Sequence, residues 1–164
     1  MFKRFQNHQS RKLTNGEKML AASIFGQVLN VDDIEIKTAW WVLKNYAVSP
    51  NGNLYFHPDN WIEDFSQQPL GRRAWFIHEL THVWQIQQGI KVFRKAVFDR
   101  RYKYAIKQGK SFFNYGVEQQ ARMVEDYYIR CQTGQKCDDL KALIPFALTP
   151  NNKNINDISK SVDT

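Results

Sequence analysis

The sequence predicts an α+β domain. Three observations carry that expectation: a long, mostly apolar helical stretch over residues 71–88, a second helical stripe over 114–131, and short strand-like runs between turn residues upstream of both. The 164 residues suit one domain. With 43% hydrophobic and 24% charged residues, the composition supports a packed core and excludes wholesale disorder.

Residues 1–12 carry Lys3, Arg4, Arg11 and Lys12 without a single acid, and read as a flexible basic arm. Thr14-Asn15-Gly16-Glu17 follows. This is a capping-box pattern, in which the Thr hydroxyl and the Glu carboxylate each satisfy a free helix N–H. Helical spacing of Met19, Leu20, Ile24, Phe25 and Val28 extends the expected helix over 15–29. Val31 to Ile36 is short and partly alternating, hence a strand. Ser49-Pro50-Asn51-Gly52-Asn53 is a turn. Leu54-Tyr55-Phe56-His57 is a second strand, with Pro58 favouring an edge position or a strand end. Pro69 and Gly71 precede the long helix, and Gly89 stands where a helix-ending glycine belongs. In the last helix, Val117, Ala121, Val124 and Tyr128 repeat at intervals of four, three and four. Residues 149–164, rich in Asn, Ser, Asp and Lys, read as a loose polar tail, leaving 13–148 as the folded domain.

Several classes are excluded. The longest apolar runs fall far short of the roughly 20 residues of a membrane span. The basic start is not followed by an apolar stretch, so no secretory signal peptide is expected and synthesis is in the cytoplasm. Cys131 and Cys137 are too few for a disulfide scaffold and lack CxxC spacing; a small disulfide-closed turn and two free thiols both fit them.

Chemistry concentrates in His78-Glu79-Leu80-Thr81-His82. Four helical residues turn through about 400°, so the two imidazoles stand one turn apart on one face and can reach a single zinc ion. Glu79 beside them can take a proton from zinc-activated water. The surrounding Trp75, Phe76, Ile77, Leu80, Val83, Trp84 and Ile86 mark a buried helix. Polar groups there need partners. The plainer reading is two hydrogen-bonded core histidines with an ion-paired Glu79.

Catalytic zinc takes three protein ligands and leaves one position open. No histidine follows His82, and His8 and His57 lie upstream. The downstream carboxylates are Asp99, Glu118, Glu125, Asp126, Asp138 and Asp139. Glu118 is favoured because it borders the apolar stripe at the start of the last helix, with the small Ala121 one turn on. Glu125, about 20° away on the same face, is the fallback ligand or an acceptor for a ligand imidazole N–H. A solvated glutamate at a helix start is the plain alternative for Glu118.

Four stretches together resemble one family. They are Arg11-Lys-Leu-Thr-Asn-Gly-Glu with Ile24-Phe-Gly, Ser49-Pro-Asn-Gly-Asn-Leu-Tyr-Phe, Phe76-Ile-His-Glu-Leu-Thr-His-Val-Trp-Gln, and Tyr115-Gly-Val-Glu-Gln-Gln-Ala with Glu125-Asp-Tyr-Tyr. They are similar to zincin-like metallopeptidase domains found as C-terminal extensions of VgrG-type spike proteins and beside Rhs elements. The resemblance implies a zincin-like fold, with the HExxH helix and a ligand helix packed on a small sheet. It implies a gluzincin-like zinc hydrolase with one Zn2+ held by His78, His82 and Glu118, and Glu79 as general base. It further implies a type VI secretion toxin effector acting on a peptide or protein substrate in the target-cell periplasm, with a spike protein and an immunity protein as partners. Zincins hold substrate along an edge strand. Residues 53–57 would be that strand, and His57, Tyr115 or Tyr127 would stabilise the oxyanion, a packing role being the alternative for each.

Residues 91–110 depart from the resemblance. Lys91, Arg94, Lys95, Arg100, Arg101, Lys103, Lys107 and Lys110 face one acid, Asp99, and alternate with aromatics. Such a segment can bind nucleic acid or another anionic polymer; a solvated face is the bland reading. The rival function is therefore a non-catalytic zinc-binding adaptor or spike module that holds an anionic polymer through this segment.

Overall fold

The computed structural model describes residues 8–92 and 102–147. The polar tail over 149–164, most of the basic arm, and Arg94, Lys95, Asp99, Arg100 and Arg101 lie outside the described residues. The architecture is mixed, a small sheet with several helices, as the α+β expectation required.

Among the described residues four strands form a sheet: β1 (Ser10–Lys12), β2 (Glu35–Thr38), β3 (Ala47–Val48) and β4 (Leu54–Phe56). Their spatial order is β1-β2-β4-β3. β2 runs parallel to β4, pairing Ile36 with Leu54, while β1 and β3 flank them antiparallel. Two expectations are corrected here. Ser10–Lys12 belongs to the sheet and not to a flexible arm. And β4, expected at an edge, is interior; the edge beside it is β3, which the turn before β4 folds back as a hairpin partner. β2 begins later than the alternation over 31–36 implied, because Asp32 and Asp33 lie in a turn that Ile34 N–H closes onto the Val31 carbonyl at 3.3 Å.

Helix α1 (Asn15–Phe25) opens with the expected capping box: Thr14 accepts from Glu17 N–H and Glu17 accepts from Thr14 N–H. It stops short of residue 29 because Gly26 takes φ +56°, outside the helical region. Val28, read with the helix, lies beyond its end and is 47% exposed, and Met19 within it is 51% exposed. Glu17 itself is fully buried. Both oxygens meet Arg11, at 2.7 and 2.8 Å, and one also accepts from Phe65 N–H at 2.8 Å. That carboxylate fastens β1, α1 and the 3-10 turn Phe65–Gln67 together.

Helix α2 (Leu70–Gln87) is buried without interruption from Phe76 to Gln85. Gly89, at φ +78°, ends it where expected. Helix α3 (Val117–Gln132) packs along it, with Val117, Ala121, Val124 and Tyr128 all inside. The stripe is as read, but the helix starts three residues later: Phe112–Asn114 is a separate 3-10 turn and Gly116 caps α3 in an extended conformation. A last helix, α4 (Asp138–Leu143), escaped the sequence reading. Phe56, Phe65, Trp75 and Phe76 form one aromatic cluster, Phe56 meeting Trp75 edge-to-face at 5.1 Å and Phe65 at 5.3 Å, and Phe65 stacking on Phe76 at 4.9 Å. This cluster of rings anchors the sheet to the start of α2.

Candidate metal centre

Helix α2 places His78 and His82 one turn apart, with ring centroids 5.0 Å from each other. α3 brings Glu118 to both: its Oε2 is 3.4 Å from His78 Nε2 and 3.3 Å from His82 Nε2. The two helices can approach this closely because α3 presents Ala121, fully buried, one turn beyond Glu118.

These spacings can be tested against a metal. Two ligands bound to zinc at about 2.0–2.1 Å and meeting at a tetrahedral angle lie about 3.3 Å apart. Ligand atoms of His78, His82 and Glu118 all fall within 4.8 Å of one another. Two imidazoles and a carboxylate are also the donor types zinc takes in catalytic sites. The residues present fit a zinc ion.

The outer hydrogen bonds orient the ligands. His78 Nδ1 lies 3.0 Å from Glu125 Oε2 and His82 Nδ1 lies 2.8 Å from Gln85 Oε1. Each ring is thereby turned with Nε2 inward. Gln85 donates from Nε2 to the Val117 carbonyl at 3.0 Å and to Gln120 Oε1 at 2.9 Å, and Gln120 donates to the Tyr115 carbonyl at 2.8 Å. Both glutamines are buried and all these groups are partnered. The sequence reading missed Gln85 and Gln120. The available signal was spacing, since Gln85 sits three residues after His82 on the same helical face.

Charge follows from the geometry. Burial disfavours an ionised His78, but hydrogen bonds to Glu118 and Glu125 outweigh it and raise its imidazole to about 10. Burial likewise pushes the Glu118 carboxyl up, yet the hydrogen bonds from His78 and His82 prevail and hold it at about 2. Burial pushes the Glu79 carboxyl above its usual range, opposed by the two histidines. A carboxyl raised in this way suits a general base working near neutral pH.

His78, Glu79, His82, Glu118 and Glu125 line a cavity of about 330 Å³ together with Ala47, Val48, Trp75, Tyr102 and Arg122. Edge strand β3 forms one wall. The residues expected to stabilise an oxyanion are elsewhere. His57 caps the 3-10 turn Pro58–Asn60, its Nδ1 accepting from Asp59 N–H at 3.1 Å. Tyr115 donates to the Ala105 carbonyl and accepts from Lys107 N–H, bracing the loop before α3. Tyr127 is fully buried on α3 near Cys131. Tyr102 and Tyr46 are the described tyrosines that line the cavity, and the Tyr102 ring lies 6.5 Å from that of His78. Of the other carboxylates, Asp126 accepts from Tyr104 and pairs with Arg122, and Asp139 pairs with Arg130. Neither they nor Asp138 line the cavity.

No established family profile matches the chain. It is 34% identical over 131 residues to the type VI secretion system spike protein VgrG2b of Pseudomonas aeruginosa, an alignment covering 73% of this chain. The chain spans 13% of that spike protein's length. The effector domain of Pseudomonas aeruginosa VgrG2b, as a solved structure, superposes with a TM-score of 0.72 at 30% identity, over 84% of this chain and 83% of that one. Similarity over more than four-fifths of both chains, at 30% identity, shows that the chain belongs to the family of the VgrG2b effector domain.

Proposed function

We propose that this chain is a zincin-like zinc metallopeptidase with a gluzincin-like ligand set, delivered as a type VI secretion effector against the envelope of a target cell. The observation that carries the reading is the approach of Glu118 Oε2 to His78 Nε2 at 3.4 Å and to His82 Nε2 at 3.3 Å in a cavity that also holds Glu79. When bound there, zinc supplies Lewis-acid chemistry, making water nucleophilic near neutral pH and polarising a scissile carbonyl. Glu79 accepts the proton of the attacking water and delivers it to the departing amine. Tyr102, on the cavity wall, offers its O–H to the carbonyl oxygen as negative charge develops. The edge strand β3 lets an extended peptide lie alongside it and engage main-chain groups of Ala47 and Val48.

Delivery rests on membership of the VgrG2b effector-domain family, whose named relative is a spike protein of the type VI system. A spike is the carrier, a periplasmic peptide or protein the substrate, and an immunity protein the safeguard of the producing cell. The test is zinc content and protein hydrolysis in wild type, Glu79→Gln and the His78→Ala/His82→Ala double variant, with toxicity of periplasm-directed chain in a Gram-negative host. Wild type is expected to carry about one zinc and to hydrolyse, Glu79→Gln to keep zinc without hydrolysis, and the double variant to lose both. Full hydrolysis by Glu79→Gln, or near-stoichiometric zinc in the double variant, overturns the reading.

A further inference from the structure

We propose that Cys131 and Cys137 are a covalent site: the pair closes into an intramolecular disulfide when the chain meets an oxidising compartment. The two Sγ atoms are 3.1 Å apart, as free thiols. Cys131 lies in the last turn of α3 and Cys137 is the residue capping α4. The turn between them is already folded to hold this approach. Gly134 takes φ +68°, Gln135 N–H donates to the Arg130 carbonyl at 2.9 Å, and Thr133 Oγ1 donates to the Ile129 carbonyl at 2.8 Å. Arg130 and Asp139 pair at 3.3 Å across the same corner. A bonded pair needs a sulfur separation of about 2.05 Å, so closure asks for an approach of about 1 Å. Both residues are half-buried and within reach of a small thiol reagent.

The chemistry balances with a disulfide donor as oxidant. One cysteine thiolate attacks the donor, forming a mixed disulfide and expelling the first donor thiol. The second cysteine sulfur then attacks the cysteine side of that bond, expelling the other donor thiol. The protein gives up two electrons and two protons, and the donor becomes two thiols. In a reducing cytosol the pair stays open; in the periplasm it closes. Where it closes rests on the delivery proposed above; whether it can close rests on geometry alone.

The consequence is a staple at the corner between α3 and α4. α4 carries Leu140, and the chain beyond it carries Ile144 and Phe146, all buried. Phe146 stacks on Phe25 at 5.0 Å and lies tilted against Trp84 at 4.6 Å, so this segment covers both α1 and α2. Locking the corner keeps the cover on the core and pins the helix that bears Glu118 and Glu125.

The experiment equilibrates the purified chain in mixtures of reduced and oxidised glutathione, traps free thiols by alkylation and weighs the intact protein. At equal millimolar glutathione and its disulfide, the expected product is a monomer two hydrogens lighter, with no alkylated thiol. Its Tm should be about 5 °C above that of the reduced chain. Cys131→Ser and Cys137→Ser should each take up a glutathione and show no such rise. Two alkylatable thiols in wild type, glutathione adducts on wild type, or intermolecular dimers overturn the proposal. Zinc content and hydrolysis measured on the same samples test the metallopeptidase reading separately, since thiol closure is read without activity.

Discussion

Glu79 and Glu118 occupy the same cavity but should fail in different ways. Glu79→Gln keeps its size and loses its basicity, so hydrolysis should fall by at least about a thousandfold while zinc stays bound, checked by turnover and metal analysis on one preparation. Glu118→Gln replaces the carboxylate at the point where both histidines converge and should weaken zinc more than Glu125→Gln. The latter only neutralises the acceptor behind His78 and should weaken it by at most about ten- to a hundredfold. Competition with a chelator orders the three; the reverse order would make Glu125 the ligand. The His78 imidazole, raised to about 10, is protonated at pH 7 and must give up that proton to bind metal. Zinc affinity should therefore rise with pH through the neutral range, with about one proton released by this group per ion. Calorimetry in buffers of different ionisation enthalpy reads that number.

At the scale of elements, the buried Glu17–Arg11 pair does what no local pattern announces. It joins β1, α1 and the turn at Phe65, and Arg11 also donates to the Ile62 carbonyl at 2.8 Å. Glu17→Ala would strand a nearly buried guanidinium and the N–H groups of Thr14 and Phe65. A loss of about 3–5 kcal/mol is expected in urea unfolding, against a few tenths for a surface glutamate such as Glu63. The capping box was legible because its spacing is local. The ion pair was not, because Arg11 meets Glu17 only after β1 has joined the sheet.

For the whole molecule, the net charge of +7 equals the excess carried by residues 91–110. Lys91, Lys103 and Lys107 are exposed. Under the rival adaptor reading, binding of an anionic polymer should weaken between 0.1 and 1 M salt, as the Debye length falls from about 10 to about 3 Å. Charge reversal of Arg100, Arg101 and Lys103 should reduce it without changing zinc content. Absence of polyanion binding at low salt in a filter or polarisation assay would leave the segment a solvated face.

Whatever depends on neighbours along the chain was legible before any tertiary contact. The i, i+4 histidines, the uninterrupted apolar helix around them, the α3 stripe, the Thr14 cap and the Gly89 stop all follow from helical period and backbone preference. Tertiary structure alone decided what depends on the packing of distant elements. It made β3, not β4, the sheet edge at the cavity, because a hairpin partner pairs along the side of β4 that was expected to be open, while the strand still ends before Pro58. It withdrew His57, Tyr115 and Tyr127 into caps and packing and set Tyr102 beside the ligands. It placed Glu118 before the two Nε2 atoms and Glu125 behind one ring. Both glutamates lie on one helix face, so their separate roles follow from where α3 crosses α2, a distance that no periodicity encodes.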